Sequence, residues 1–242
     1  SPYWCMRCIR AHTLASAHEQ VVKVVLEKGT PLTTENGEET VESEEVAIRV
    51  ERPGTPPMVS PASRFSERFM EQYAHDLISG SGSVFEYDYH DRLFNWGEGL
   101  FSQEGAEVHS DQVAYILRKI RENPSTRRAV AITWNPVRDQ SLGDCPCLQL
   151  VQCVARSGLL HMKVVFRSND MLTAAGANMF ALVSLQEHIA ADLGFGCGSY
   201  THVSLVPHIY YVRDAADIEP FCRRGEAISP IPEVCRSCGK CR

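Results

Sequence analysis

Apolar positions along this chain recur with two periods, and the switches between them lay out its elements. In HTLASAHEQVVKVVLEKG, Leu14, Ala17, Val21, Val24 and Val25 fall at helical spacing and Gly29 supplies a stop, which predicts a first helix. TTENGEETVESEEVAIRVERPGTPP is acidic at first and then alternates through Val46, Ile48 and Val50. It predicts an irregular loop and then a strand, closed by the proline-rich PGTPP. A second helix is predicted over SRFSERFMEQYAHDLIS, before the GSGS turn. A third is predicted over SDQVAYILRKIREN, with Ser110 as N-cap and Val113, Ile116, Leu117 and Ile120 on one face. Beyond Pro124, AVAITW, LQLVQCVA and LLHMKVVFRS read as strands, the last two joined through RSG as a hairpin. NMFALVSLQEHIAADLG is a long helix with Phe180, Leu182, Leu185 and Ile189 facing inward, and SYTHVSLVPHIYY returns as another strand. The pattern implies one α/β domain, residues 11–221, between an N-terminal cysteine knuckle (1–10) and a C-terminal cysteine-rich tail (222–242).

Composition narrows the class. The chain has 242 residues, 44% hydrophobic and 22% charged, enough for one large core. A net charge of −6 argues against a broadly basic nucleic-acid surface, so any phosphate must be met by a local arginine cluster. No apolar run reaches the length of about 18 residues that a membrane span needs, and no leader pattern opens the chain. The reading is a cytoplasmic protein with neither membrane nor nucleic acid as partner. Of the ten cysteines, Cys5 and Cys8 form one C-x-x-C, and Cys235, Cys238 and Cys241 a second cluster. Thiolates from Cys5, Cys8, Cys235 and Cys238 would suit a tetrahedral structural zinc joining the termini. An iron–sulfur cluster and two reduced tails are the alternatives.

Several polar residues sit where a core should be. Arg127 and Arg128 stand between a helix end and a buried strand; adjacent arginines on a turn are ordinarily a solvated face. Arg167, Ser168 and Asp170 close an apolar strand, and a guanidinium beside a hydroxyl makes a phosphate grip. His208 and Tyr210, two apart on a strand, share a face and could hold a sugar hydroxyl, although a satisfied core histidine is as common. Cys147 follows Pro146 at a strand mouth, since proline cannot join a central ladder. Positive charge nearby would favour its thiolate. Cys153 lies deeper in the apolar run and reads as core.

Taken in order, PSTRRAVAITWNP, DCPCLQLVQCVA, LLHMKVVFRSNDM, AAGANMFAL and HIYY resemble the thymidylate synthase family, specifically its short archaeal-type branch. The likeness runs from about Asp111 to Tyr211, and more weakly back to YDYHDRLFNW and the first helix. It implies an α/β (α+β) fold, a mixed sheet with flanking helices that packs in a homodimer. It implies one-carbon transfer from methylenetetrahydrofolate, or a related pterin, to carbon five of dUMP, with dTMP as product. Cys147 then matches the nucleophile, with Gln152 five residues on. Arg167 and Ser168 match the phosphate ligands, and Arg127 and Arg128 the arginines that cross to the partner's phosphate. Asn178 matches the asparagine that reads the uracil edge, and Asp170 the aspartate near base and folate. His208 and Tyr210 match the pair on the sugar 3′-hydroxyl, and Tyr89 the tyrosine of the proton-removal network. The acid/base glutamate should lie on the second helix, as Glu71 or its rival Glu67.

The chain also departs from the family pattern. Cys145 stands where a proline is frequent, and Ala175 and Gly176 replace a tryptophan–proline pair, which should open space near the base. That space keeps alive a pyrimidine nucleotide 5-hydroxymethylase acting on CMP, dCMP or dUMP with the same nucleophile. A catalytically silent nucleotide-binding protein is the second alternative.

Overall fold

The computed structural model describes residues 6–81, 88–97 and 102–224. Ten strands and six helices follow in order: β1 (Arg7–Ala11), α1 (Leu14–Lys28), β2 (Thr30–Thr33), β3 (Glu39–Glu42), β4 (Val46–Val50), α2 (Glu67–Ser79), α3 (Tyr89–Phe94) and α4 (Gln112–Glu122). Then come β5 (Val130–Ile132), β6 (Leu148–Arg156), β7 (Leu159–Phe166), β8 (Asn169–Asp170), α5 (Ala174–Leu193), β9 (Gly196–Ser204), β10 (Pro207–Ile209) and α6 (Ala215–Cys222). Six strands form a mixed sheet in the order β1-β4-β9-β7-β6-β5, and four form a smaller sheet, β2-β3-β10-β8. The mixed α/β sheet with flanking helices is the expected architecture.

Alternation decides which face of the large sheet is covered. Val46, Ile48 and Val50, Leu160, Met162 and Val164, and Val151 and Cys153 are buried, and α1 and α5 pack over them. The opposite face carries Arg49, Val130, Ile132, Leu150, Val154, Val165 and Val203 in half-exposed or exposed positions. The hairpin between β6 and β7 turns through Ser157 (φ 52°) and Gly158 (φ 75°), left-handed backbone that a two-residue turn requires.

Three local expectations change. The acidic stretch before Val46 is the β2–β3 hairpin, with Thr33 opposite Glu39. Its second strand is held by β10, a pairing distant in sequence that no local alternation reveals. The cap of α4 is Asp111, whose carboxylate accepts from the Ala114 N–H at 2.8 Å; Ser110 instead bridges Trp96. The segment SYTHVSLVPHIYY divides between the two sheets as β9 and β10. At the N-terminus, β1 lies parallel to β4, so Cys8 stands on a strand of the large sheet.

Inside the fold, Arg92 of α3 donates through Nη1 and Nη2 to the Asp139 carboxylate at 2.5 and 2.7 Å, and to the Thr133 carbonyl at 2.6 Å. Both side chains are buried. Burial opposes ionisation of Asp139, but the bonds and charge of Arg92 outweigh it and hold the carboxyl below its ordinary value of 3.8. Removing one partner strands the other charge, so Asp139→Ala should cost on the order of 3–5 kcal/mol in urea denaturation. The folded value is depressed, so in wild type this stabilisation is full above pH 3.8 and is lost as pH falls through the lower folded value. Acid titration of stability should show that loss in wild type and lack it in Asp139→Ala.

Candidate active site

The last rung of the β6–β7 ladder places Cys147. Leu148 lies opposite Phe166, and the Arg167 N–H donates to the Cys147 carbonyl at 2.8 Å. Pro146, which has no N–H to give, marks the end of pairing. From α3, the Tyr89 hydroxyl accepts the N–H of Cys147 at 3.0 Å and of Leu148 at 2.9 Å. On the other side the Arg167 guanidinium donates to the carbonyls of Pro146 and Cys145, each at 2.8 Å, and lies 3.3 Å from the Cys145 sulfur. The Cys147 backbone is thus clamped between a phenol and a guanidinium.

Cys147 opens on a cleft of about 520 Å³ lined also by Tyr89, Arg167, Ser168, Asp170 and Asn178. His208 and Tyr210 complete its wall. A larger hollow of about 810 Å³, around Arg49, His161 and Glu187, holds none of the residues singled out from the sequence. Size is therefore a poorer guide here than convergent polar chemistry. Burial pushes the Cys147 thiol up from its ordinary value; the Arg167 charge works against that rise, and Asp144 and Cys145 add to it. Cys153 is fully buried and pushed up to about 12, as a core thiol should be.

The remaining cleft groups are oriented by their neighbours. His208 Nδ1 donates to the Val206 carbonyl at 3.0 Å, which fixes the orientation of the ring. The Tyr210 ring meets His208 edge-on at 5.2 Å and carries the Arg213 guanidinium 4.0 Å from its centroid. Asp170 accepts from the Leu172 and Thr173 N–H groups and the Thr173 hydroxyl, which fixes the start of α5, and from Arg213 at 3.2 Å. Asn178 donates to the Tyr73 hydroxyl and accepts from Asn169.

Other predicted residues lie elsewhere. Glu71 and Glu67 are exposed, and neither lines the cleft. The helical period of α2 turns Met70, Ala74 and Leu77 inward, and Tyr73 is the residue this helix sends to the cleft. Arg127 and Arg128 are exposed on the turn before β5 and do not line this cleft; Gln152 donates to the Arg127 carbonyl at 2.9 Å. The space expected at Ala175 and Gly176 is filled. Both are buried, and a methyl on Gly176 would meet the His18 ring of α1 at 2.8 Å. Cys8 is exposed, while Cys5, Cys235 and Cys238 lie outside the described residues. Among the described residues no group of three or more potential ligands could hold a metal ion.

Sequence reasoning passed over Tyr73, Asn169 and Arg213. The first was legible, since it lies four residues before inward-facing Leu77. Asn169 and Arg213 reach the cleft through strand and loop packing, which leaves no periodic trace. For the thiol, peptide-mapped alkylation of the free protein should rise with pH along a titration above 9.0. Arg167→Gln should move that titration further up, because it removes the opposing charge, while Cys153 should stay unmodified until unfolding.

A sequence profile of the family described as Thymidylate synthase matches residues 71–234. Over 214 residues the chain is 39% identical to a Methanocaldococcus jannaschii protein named "Putative thymidylate synthase", covering 86% of this chain and 93% of that one. A protein of the same name in Methanosarcina barkeri is 33% identical over 205 residues, covering 84% and 89%. The chain belongs to the thymidylate synthase family of methyltransferases.

Proposed function

We propose that this protein transfers a one-carbon unit to carbon five of dUMP through a covalent adduct of Cys147, with dTMP as product. The observation that carries this reading is one cleft in which Cys147 faces a guanidinium, a carboxamide and an imidazole, from Arg167, Asn178 and His208. Carbon five of uracil is a weak nucleophile until something adds at carbon six. Addition of the Cys147 thiolate there forms a carbon–sulfur bond and places an enolate over carbons four and five, which splits one hard step into easier ones. Burial disfavours that thiolate, and the Arg167 charge is the group that opposes burial. Arg167 has spent Nε and Nη2 on carbonyls of the cysteine loop, so Nη1, with Ser168, is what it offers to the nucleotide phosphate.

His208 and Tyr210 bind the 3′-hydroxyl, and Asn178 pairs with the base edge. Tyr89, whose fixing by the Cys147 and Leu148 N–H groups supports the role, takes part in removing the carbon-five proton. When bound, methylenetetrahydrofolate supplies the one-carbon unit and the hydride that completes the methyl group. Asp170 and Arg213 on the outer wall would hold it. An acceptor carboxylate and a 48% exposed guanidinium suit the N–H edge of a reduced pterin and its glutamyl carboxylate.

Arg127 and Arg128 serve the cleft of a second copy. Support comes from their exposure away from their own cleft and from the apolar outer face of the large sheet, where Ile132 is 47% exposed. That face is the surface a homodimer would cover.

Incubation with methylenetetrahydrofolate and dUMP should raise dihydrofolate absorbance and yield dTMP, and Cys147→Ser should abolish both. A product heavier by a hydroxymethyl group, with no dihydrofolate, assigns the hydroxymethylase chemistry instead. Absence of any Cys147 adduct with 5-fluoro-dUMP assigns a non-catalytic binding protein. Mixing Cys147→Ser with the Arg127→Ala/Arg128→Ala double variant, each inactive alone, should restore turnover. The mixed dimer contains one site with Cys147 from one subunit and both arginines from the other.

A further inference from the structure

A hydrogen-bonded chain runs from the cleft into the core of the large sheet. Asn178 Nδ2 donates to the Tyr73 hydroxyl at 3.1 Å, and Asn178 Oδ1 accepts from Asn169 Nδ2 at 3.3 Å. Asn169 Oδ1 lies 2.7 Å from His202 Nε2, and His202 Nδ1 lies 2.8 Å from the Tyr200 hydroxyl. A carboxamide oxygen only accepts, so His202 carries its proton on Nε2 and its Nδ1 accepts the Tyr200 O–H. Tyr200 and His202 have no exposure, and burial drives the imidazole down to about 3, so the ring is neutral. Phe166, on the cleft floor, stacks on it at 4.6 Å.

Asn178, Asn169 and His202 each donate to one neighbour and accept from the other, so the chain can reverse only as a whole. Reversal would make His202 Nδ1 the donor to Tyr200. The Tyr200 proton, which has His202 as its one partner among the described residues, would then be buried without an acceptor. At the other end Tyr73 borders the cleft and keeps its own proton to offer there. The direction is therefore set from the core outward.

That direction reaches the amide of Asn178. A carboxamide has two N–H bonds and two lone pairs, and Tyr73 and Asn169 take one of each. What remains for a ligand is an N–H on the Tyr73 side and a lone pair on the Asn169 side. Tyr73 lies on the nucleophile's side, where it shares a small cavity with Tyr89 and Leu148. A pyrimidine with carbon six at Cys147 presents position four on that side and position three beyond it. Uracil offers an acceptor at four and a donor at three, which fits; cytosine offers the reverse.

We infer that Tyr200, His202 and Asn169 are positioning residues that make this site select uracil over cytosine nucleotides by fixing the orientation of the Asn178 amide. The inference rests on the reading of the cleft as a pyrimidine-nucleotide site. Calorimetric titration of the full chain with dUMP and with dCMP tests it through the ratio of the two affinities. Wild type should prefer dUMP. Asn169→Asp has no N–H for Asn178, so the amide should turn over and the preference should shift to dCMP. Tyr200→Phe deletes one oxygen and the proton that sets the direction; its ratio should fall on the order of tenfold while binding persists. Tyr200→Phe carries the test if the aspartate variant does not fold. A merely structural role would weaken both nucleotides alike. Preference of wild type for dCMP, or an unchanged ratio in the folded variants, overturns the relay and leaves the nucleotide site standing. Binding of neither nucleotide by wild type overturns the nucleotide reading, and the relay's role with it.

Discussion

The register of β6 against β7 is the constraint on which the site depends. One rung, Arg167 N–H to Cys147 carbonyl, brings the sulfur and the guanidinium to neighbouring strand ends. A slip of one residue would turn Cys147 toward the opposite face of the sheet and send Arg167 away from the loop. The two-residue turn at Ser157 and Gly158 fixes that register from the far end of the hairpin, and the irregularity between Leu148 and Leu150 adjusts it beside the cleft. Everything else in the cleft is added to this pair: α3 brings Tyr89, α2 brings Tyr73, α5 brings Asn178, and the small sheet brings His208.

The same packing creates an electrostatic tension. The packing that shapes the cleft also shields the Cys147 sulfur from water, and that burial favours the neutral thiol. Arg167 relieves part of it while committing two of its nitrogens to the loop that carries the sulfur. Structural brace and electrostatic partner are therefore one side chain, and a lysine could not do both, because its point charge lacks the planar fork.

Much of this was legible in the chain. Helical spacing located α1, α2 and α4, because each shows one apolar stripe to the core; α5, buried on nearly every side, showed as a long apolar run, and β-branched runs flanking RSG located the central hairpin. Cys147, Arg167 and His208 stood out as polar groups at the ends of apolar elements, which is where a cleft takes its residues, whereas Asn178, inside α5, was named by the family resemblance alone. What failed to show was made by contacts distant in sequence. The β2–β3 hairpin depends on β10, and Asn169 and Arg213 reach the cleft through strand and loop packing. Glu71, with Glu67 as rival, was expected because the family resemblance implies an acid/base glutamate on the second helix, whereas the helical period sends both to solvent.

The approach of α5 to His18 has a wider consequence. The ring donates through Nε2 to the Met171 carbonyl at 2.8 Å, packs edge-on against Phe221, and leaves no room for a methyl at position 176. Positions 18, 176 and 221 thus form a single steric unit, and position 176 lies two residues from Asn178 on the same helix. Substitution can spread through such a unit only in concert: a bulkier residue at 176 demands a smaller one at 18. Relatives that diverge at one of these places should therefore carry a compensating replacement at another.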